Sequence, residues 1–213
     1  GAQFAVEQLP SDRPLRLRGF VRAKGQVSGG TLTTALTIMS RWRSGRRVAA
    51  ERKRIERRNN GRLIRGERVR PLHVGGEIGW ALPLPTIDPQ IVLRSARALP
   101  EYGPDFTYGH YAWIRRLPVA AGAAVGAPAV ALAAQVGPAR RLMAKVVEPG
   151  DGPSPARRER SWFKVRFHGE TADGERRVVC EVSGGDPGYA ETAKMLAESA
   201  LCLAHDEQLP DVA

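Results

Sequence analysis

Cysteine is nearly absent: Cys180 and Cys202 are the only two thiols in 213 residues. That excludes a scaffold stapled by disulfides, and the pair reads as two reduced, buried thiols of a cytoplasmic protein. With two cysteines and four scattered histidines, no spacing resembles a metal site. Lysine is scarce too, at positions 24, 53, 145, 164 and 194 only, so arginine carries the formal charge of +11. Arginine beside abundant alanine and glycine is also what GC-rich codon usage produces, which weakens charge as a sign of nucleic-acid binding. The most basic stretch, Arg41 to Arg70, holds Trp42 as its one aromatic residue, so its cations are not interleaved with the rings that stacking on bases requires, and this argues against a nucleic-acid partner. The charge does imply attraction for acidic partners: cofactor phosphates, an acidic carrier protein or anionic lipid. A secretory or transit signal is not recognisable, and the chain opens on Gly1 rather than Met, so it reads as part of a longer protein.

What is present argues for a packed body, with 42% hydrophobic residues and four Trp. From Ser161 the sequence alternates Phe163, Val165 and Phe167 against Lys164, Arg166 and His168, the period of a strand with one buried face. Ala172-Asp173-Gly174 supplies a turn, and the next stretch returns as a second strand up to Val182. Asp186 and Pro187 then open a helix from Tyr189 to His205, with Ala193, Leu196, Ala200 and Leu203 at helical spacing. The spacing predicts a hairpin feeding a helix that packs back onto the sheet.

Upstream, residues Gly1 to Leu9 read as the tail of a helix, and Leu15 to Lys24 as a strand. Leu15, Leu17, Val21 and Ala23 share one face of that strand; Arg16, Arg18, Phe20, Arg22 and Lys24 share the other. The cationic face suits either solvent or an anionic ligand. Val27-Ser28-Gly29-Gly30-Thr31 leads into a helix with Leu32, Ala35, Leu36, Met39 and Trp42 on one side, and Val182-Ser183-Gly184-Gly185-Asp186 repeats the pattern. Glycines before a helix let a phosphate or a ligand's backbone approach free N–H groups, although both motifs also serve as tight strand-to-helix turns. A solvated helix and a loop around Asn59-Asn60-Gly61 are expected within Arg41–Arg70, a short strand over His73–Trp80, and a helix capped by Asp88-Pro89 through Ala98. Tyr108, His110 and Tyr111 lie in the aromatic centre, Tyr102 to Tyr111, as candidate proton donors or as plain aromatic packing. Leu117 to Ala139 carries no charge and is bracketed by Arg115-Arg116 and Arg140-Arg141; it reads as a buried or surface-lying helix, or as a membrane contact. A Pro- and Gly-rich loop, Glu148 to Ala156, carries the chain back to the hairpin.

The motifs Val27–Thr31, Tyr102–Tyr108, the run after Leu117, Gly152–Pro155 and Val182–Thr192 together resemble the C-terminal half of saccharopine dehydrogenase-like oxidoreductases, most closely their trans-acting enoyl reductase branch. The resemblance implies an α+β fold for residues 1–213 as one domain: a mixed, largely antiparallel sheet with helices packed on one face, like the substrate domain of saccharopine reductases. It implies NADP- or NAD-dependent reduction of a carbon–carbon double bond in an acyl thioester or lipid precursor, presented on an acidic carrier protein. Such proteins carry a Rossmann domain ahead of the matching region, and no strand–GxGxxG–helix unit occurs in this sequence. The fragment is therefore expected to be a substrate domain, inactive alone, with Ser28, Gly29, Gly30 and Thr31 facing the cofactor, Ser183, Gly184, Gly185 and Asp186 facing the substrate, and Tyr108, His110 and Tyr111 supplying the proton. The alternative is a non-catalytic, lipid- or membrane-associated member of the same scaffold, in contact with the inner face of the membrane through Leu117–Ala139. Homodimerisation through the sheet or the apolar run is a further expectation.

Overall fold

The computed structural model describes residues 1–25, 28–55, 61–146 and 152–207. Val27 of the first glycine motif, Asn59 and Asn60 of the basic stretch, and Glu148 to Asp151 of the expected loop lie outside the described residues.

Strand β1 (Leu15–Lys24) occupies the middle of the sheet. Strand β5 (Asp105–Ile114) pairs with it in parallel on one side, and β6 (Trp162–Thr171) pairs antiparallel along its whole length on the other. Strand β7 (Arg177–Gly184) follows β6 across the expected hairpin. The far edge of β5 is shared: β2 (Leu63–Gly66) runs parallel to its first half, and β4 (Gly79–Pro83) antiparallel to its second. Strand β3 (Leu72–Gly75) completes a hairpin with β4. The result is the expected α+β architecture, an open, mixed and largely antiparallel seven-stranded sheet.

Alternation along β1 builds two cores at once. Leu15 and Leu17 face Phe106 and Tyr108 of β5 and Phe167 of β6, and this side is covered by α1 (Ala2–Val6) and α4 (Asp88–Ala98) together with Leu9 and Tyr102. Phe20 points the other way, into a cluster with Ile78, Ala81, Tyr111 and Trp113. Leu17 and Phe20 are both fully buried, which stabilises the fold by about 1.5–3 kcal/mol per side chain. The hairpin turns as its sequence implies: Gly174 has φ 76°, Asp173 accepts from the Glu175 N–H at 3.0 Å, and Arg13 bridges Asp173 and Glu175.

The helices differ from expectation at their ends. Helix α2 (Gly29–Ser40) is capped by Ser28, whose hydroxyl accepts from the Thr31 N–H at 3.1 Å. It stops at Arg41, and α3 (Trp42–Ile55) starts anew. Helix α4 has Ile87 at its cap and Asp88 already in its first turn. The uncharged run breaks into α5 (Leu117–Ala133) and α6 (Gly137–Ala144), bent by 114°, with Pro138 in the first turn of α6, where its missing N–H leaves no bond unmade. Among the described residues no single helix is long and apolar enough to cross a membrane; α5 and α6 have the length and composition only as a bent pair. A single-turn α7 (Pro155–Glu159) precedes β6. Helix α8 (Ala190–His205) has the predicted extent, but no residue of it is buried, so it does not pack back onto the sheet. Helical spacing decides which residues share a face, not whether anything covers that face. Cys202 is exposed with α8 and Cys180 is only half-buried, which corrects the expectation of two buried thiols.

The turn into β5 depends on Gly103. Its φ of 75° is open to glycine, and an added Cβ would stand 2.5 Å from the Arg13 carbonyl oxygen. Gly103→Ala is expected to lower stability in urea unfolding by roughly 2 kcal/mol, and an unchanged midpoint would show that the backbone relaxes at no cost.

Candidate functional site

The carboxyl ends of the parallel pair β1 and β5 lie side by side, and their connections diverge. The chain leaves β1 through α2 and α3 to reach β2, beyond β5; it leaves β5 through α5, α6 and α7 to reach β6, beyond β1. Adjacent parallel strands whose connections part in this way leave a crevice outside their carboxyl ends, where open sheets hold ligands. A cavity of about 740 Å³ opens there, between Val21–Ala23 of β1, Ala112–Ile114 of β5, and Arg115, Arg116 and Val119 at the start of α5. Its size suits a small organic ligand.

Three arginines give the crevice its character. The Arg22 guanidinium lies 5.7 Å from the Trp113 ring and 5.4 Å from the Trp162 ring, held by cation–π attraction. Among the described residues, Arg22, Arg115 and Arg116 have no carboxylate partner within ion-pair distance. Trp113 supplies the apolar wall. Its indole N–H donates to the Glu77 carbonyl at 3.0 Å and Arg166 lies 4.9 Å from its ring, so the wall is fixed in place. A cationic mouth over aromatic and aliphatic surface suits an anion joined to an apolar chain.

Two residues back along β5, on the face that carries Trp113, stands a hydrogen-bonded cluster. Arg18 grips Glu67 with contacts of 2.6, 2.9 and 3.1 Å, and the Tyr111 hydroxyl donates to the same carboxylate at 3.0 Å. Gly109 makes the room: a Cβ there would collide with the Glu67 carboxylate and the Tyr111 ring. Burial would raise the Glu67 pKa, but the Arg18 hydrogen bonds and charge and the Tyr111 hydroxyl outweigh it and hold the carboxyl below its usual range. Burial, followed by the hydrogen bond and charge of Glu67, pushes the Tyr111 hydroxyl up to about 12. Phe20 joins the cluster to His168, stacking on Tyr111 at 5.6 Å and meeting the imidazole edge-on at 5.0 Å. Burial and the charges of Arg166 and Arg18 lower the His168 pKa, so its imidazole is neutral near pH 7.

The sequence candidates are not gathered in one place. Tyr108 and His110 lie on the opposite face, under α1 and α4, and bond to each other at 2.9 Å between the hydroxyl and Nδ1. Asp88 approaches His110 Nε2 at 3.7 Å from the first turn of α4. Both rings are buried, and Gly19 of β1 hollows the space for the Tyr108 hydroxyl, 2.6 Å from where its Cβ would be. Burial raises the Tyr108 pKa far above its ordinary value and lowers that of His110 against the pull of Asp88. Ser28, Gly29, Gly30 and Thr31 form the amino end of α2, at the same end of the sheet as the crevice. Ser183 and Gly184 are ladder residues of β7, paired with Lys164 and Phe163. Asp186 is occupied as a cap, accepting the N–H groups of Gly188, Tyr189 and Ala190 at 3.0 to 3.3 Å. Sequence reading named Arg22 on the cationic face but missed Glu67, Trp113 and His168; parity along β5 and β6 was the available signal for the last two.

No protein-family model matches the chain, and no solved structure matches it. Over 129 residues, 54% of its length, it is 32% identical to the trans-acting enoyl reductase of Mycobacterium ulcerans. The chain resembles part of a trans-acting enoyl reductase. Over 75 residues, 34% of its length, it is also 40% identical to Mycobacterium tuberculosis proteins of strains H37Rv and CDC 1551 that carry the same name provisionally. The matched stretches span 30% of the first relative and 18% of the others, so the likeness is to a part of each. It gives coarse support to an enoyl reductase-like oxidoreductase.

The two depressed histidines set a pH dependence. The folded protein resists protonation of His110 and His168 while the unfolded chain accepts it, so their contribution is complete above the unfolded value of about 6.5 and is lost as pH falls towards the lower folded values. Urea midpoints should fall as the pH drops through that window, and His168→Gln should flatten the fall. A His168→Gln profile superimposable on the parent's would mean that this imidazole is not desolvated.

Proposed function

We propose that this chain forms the substrate side of an enoyl reductase-like oxidoreductase acting on an α,β-unsaturated acyl thioester. The 32% identity over 129 residues to a trans-acting enoyl reductase carries the reading, and the chemistry of the crevice supports it. An acyl thioester on a carrier protein hangs from a phosphopantetheine arm, which is an anion joined to a mostly apolar chain. Arg22, Arg115 and Arg116 suit the phosphate, Trp113 and Val119 suit the chain, and an excess of arginine suits an acidic carrier.

Reduction of such a substrate adds hydride at the β-carbon and a proton at the α-carbon, with negative charge passing through the thioester oxygen; the hydride donor of this chemistry is NADPH or NADH. The described residues do not form a seat for a dinucleotide. Gly29 and Gly30 leave backbone N–H groups at the amino end of α2, but the Thr31 N–H is already taken by Ser28, and the sequence has no strand–GxGxxG–helix turn. On this chain, Tyr111 is the hydroxyl that shares a face with Trp113, and Glu67 and Arg18 hold it in position. Tyr108 and His110 are sealed beneath α4, where they position β5.

A second reading, a lipid- or membrane-associated protein without turnover, draws on the exposed apolar side chains of α5 and α6. Binding and turnover distinguish the two. A 2-enoyl thioester of phosphopantetheine should quench the tryptophan fluorescence of the protein, and Arg22→Ala should weaken that binding about tenfold, or about 1.4 kcal/mol. The whole protein of which this chain would be the substrate side, rather than the chain alone, should also consume NADPH or NADH in the presence of this thioester. Equal affinity in Arg22→Ala removes the crevice from the proposal, and binding by that whole protein without any turnover favours the second reading.

A further inference from the structure

Positive charge is not spread over this molecule. Residues 28–55 and 115–146 hold twelve Arg and Lys against a single carboxylate, Glu51, and so carry the whole of the +11; all other residues together hold 21 basic and 21 acidic side chains. These two segments contain α2 with α3, and α5 with α6. They meet in space, since α2 packs against both α5 and α6, and Gln135 donates to the Met39 carbonyl. One end of the sheet thus bears a cationic outcrop of four helices on an otherwise neutral body.

Apolar side chains also face outward on the outcrop, as they do on α8, and on the outcrop they coincide with the excess of positive charge. Val125, Leu132 and Leu142 are more than 70% exposed, and Ile38 is 67% exposed. Helix α5 has no polar face, because none of its 17 residues carries a charged or hydrogen-bonding side chain. A helix apolar all round belongs in a core or in lipid, and this one is mostly uncovered. Seventeen residues extend about 26 Å at 1.5 Å per residue, short of the hydrocarbon thickness of about 30 Å. With the 114° bend into α6, that length suits a segment lying along a bilayer rather than crossing it. Arg140, Arg141 and Lys145 sit on α6 and just after it, where long cationic side chains can reach lipid phosphates while their stems stay on apolar surface.

We infer that α2, α3, α5 and α6 form a docking surface for an anionic lipid bilayer, with α5 lying at the boundary between headgroups and acyl chains. Charge complementarity selects this occupant. A second copy would bring two surfaces of like charge face to face, which opposes association. A nucleic acid would satisfy the arginines but leave Val125, Leu132 and Leu142 uncovered. A bilayer containing acidic lipid satisfies both. This inference shares Arg115 and Arg116 with the crevice but uses no residue of the Arg18–Glu67–Tyr111 cluster, and vesicle flotation reads it without any turnover.

The test is flotation of the protein with vesicles of phosphatidylcholine alone and of phosphatidylcholine with phosphatidylserine. Binding is expected with the mixed vesicles and should be weakened about tenfold by raised salt. Arg140→Gln with Arg141→Gln should reduce it at low salt, while Val125→Ser with Leu132→Ser, at exposed positions checked for retained fold by circular dichroism, should remove the salt-resistant part. Absence of flotation with the mixed vesicles overturns the inference. It is equally overturned if the Val125→Ser/Leu132→Ser variant floats as well as the parent and duplex DNA competes fully, which would assign the surface to polyanions in general. A dimer seen by light scattering that the same variant abolishes would assign it to a second copy instead.

Discussion

The structure depends on one strand serving two unlike environments. β1 is paired along both edges, to β5 in parallel and to β6 antiparallel, and its two faces cannot be exchanged. Leu15 and Leu17 enter the core under α1 and α4; Arg16, Arg18, Phe20 and Arg22 belong to the other side. A register slip of one residue would turn four cationic or aromatic side chains into the helix-covered core, so the pairing is strongly specified. Arg18 adds a further constraint. It neutralises a carboxylate from the end of β2 that also receives the Tyr111 hydroxyl, so three separate segments are held at one point. Removing either partner of that pair would leave a part-buried charge unanswered, a larger penalty than the pair's own net worth.

Much of this was legible in the alternation. The β6–β7 hairpin, its turn at Gly174 and the two faces of β1 follow from a period of two read directly off the residues. The capping of α8 by Asp186 was legible in kind but not in position, since the carboxylate gathers N–H groups over a turn before the helix begins. β2 was lost because four residues set among arginines are too few to show a period, and Glu67 was lost with it. Its partner Arg18 is 49 positions away, and only strand order brings the two together. Tyr108 and Tyr111 are a different case. Three positions apart on a strand, they must face opposite ways, and parity alone separates a sealed tyrosine from one beside the crevice wall.

Two glycines show how little space each environment leaves. Gly19 of β1 and Gly109 of β5 have no side chain where the Tyr108 hydroxyl and the Glu67 carboxylate need to be. Each hollow admits a polar group from the neighbouring strand or loop into a layer otherwise packed with aromatic rings, and each polar group then finds its partner there. Buried polar groups are tolerated only when so satisfied. The sheet therefore carries one closed polar pair beneath the helices and one open, charged cluster on its other side.

The first turn of α5 ties the crevice to the cationic outcrop. Arg115, Arg116 and Val119 line the cavity at the ends of β1 and β5, and the same helix continues as the exposed apolar segment. An anion held by Arg115 and Arg116 withdraws these two cationic side chains from an acidic surface docked on the outcrop. By linkage the converse holds with equal magnitude: a surface that engages those two side chains lowers their affinity for an anion in the crevice. A ligand whose charge is neutralised by the crevice and whose chain follows Val119 along α5 experiences the opposite sign of coupling, because the surface then adds apolar contact without competing for charge. Whether occupancy of the crevice strengthens or weakens surface binding therefore reports which part of the ligand the arginines hold.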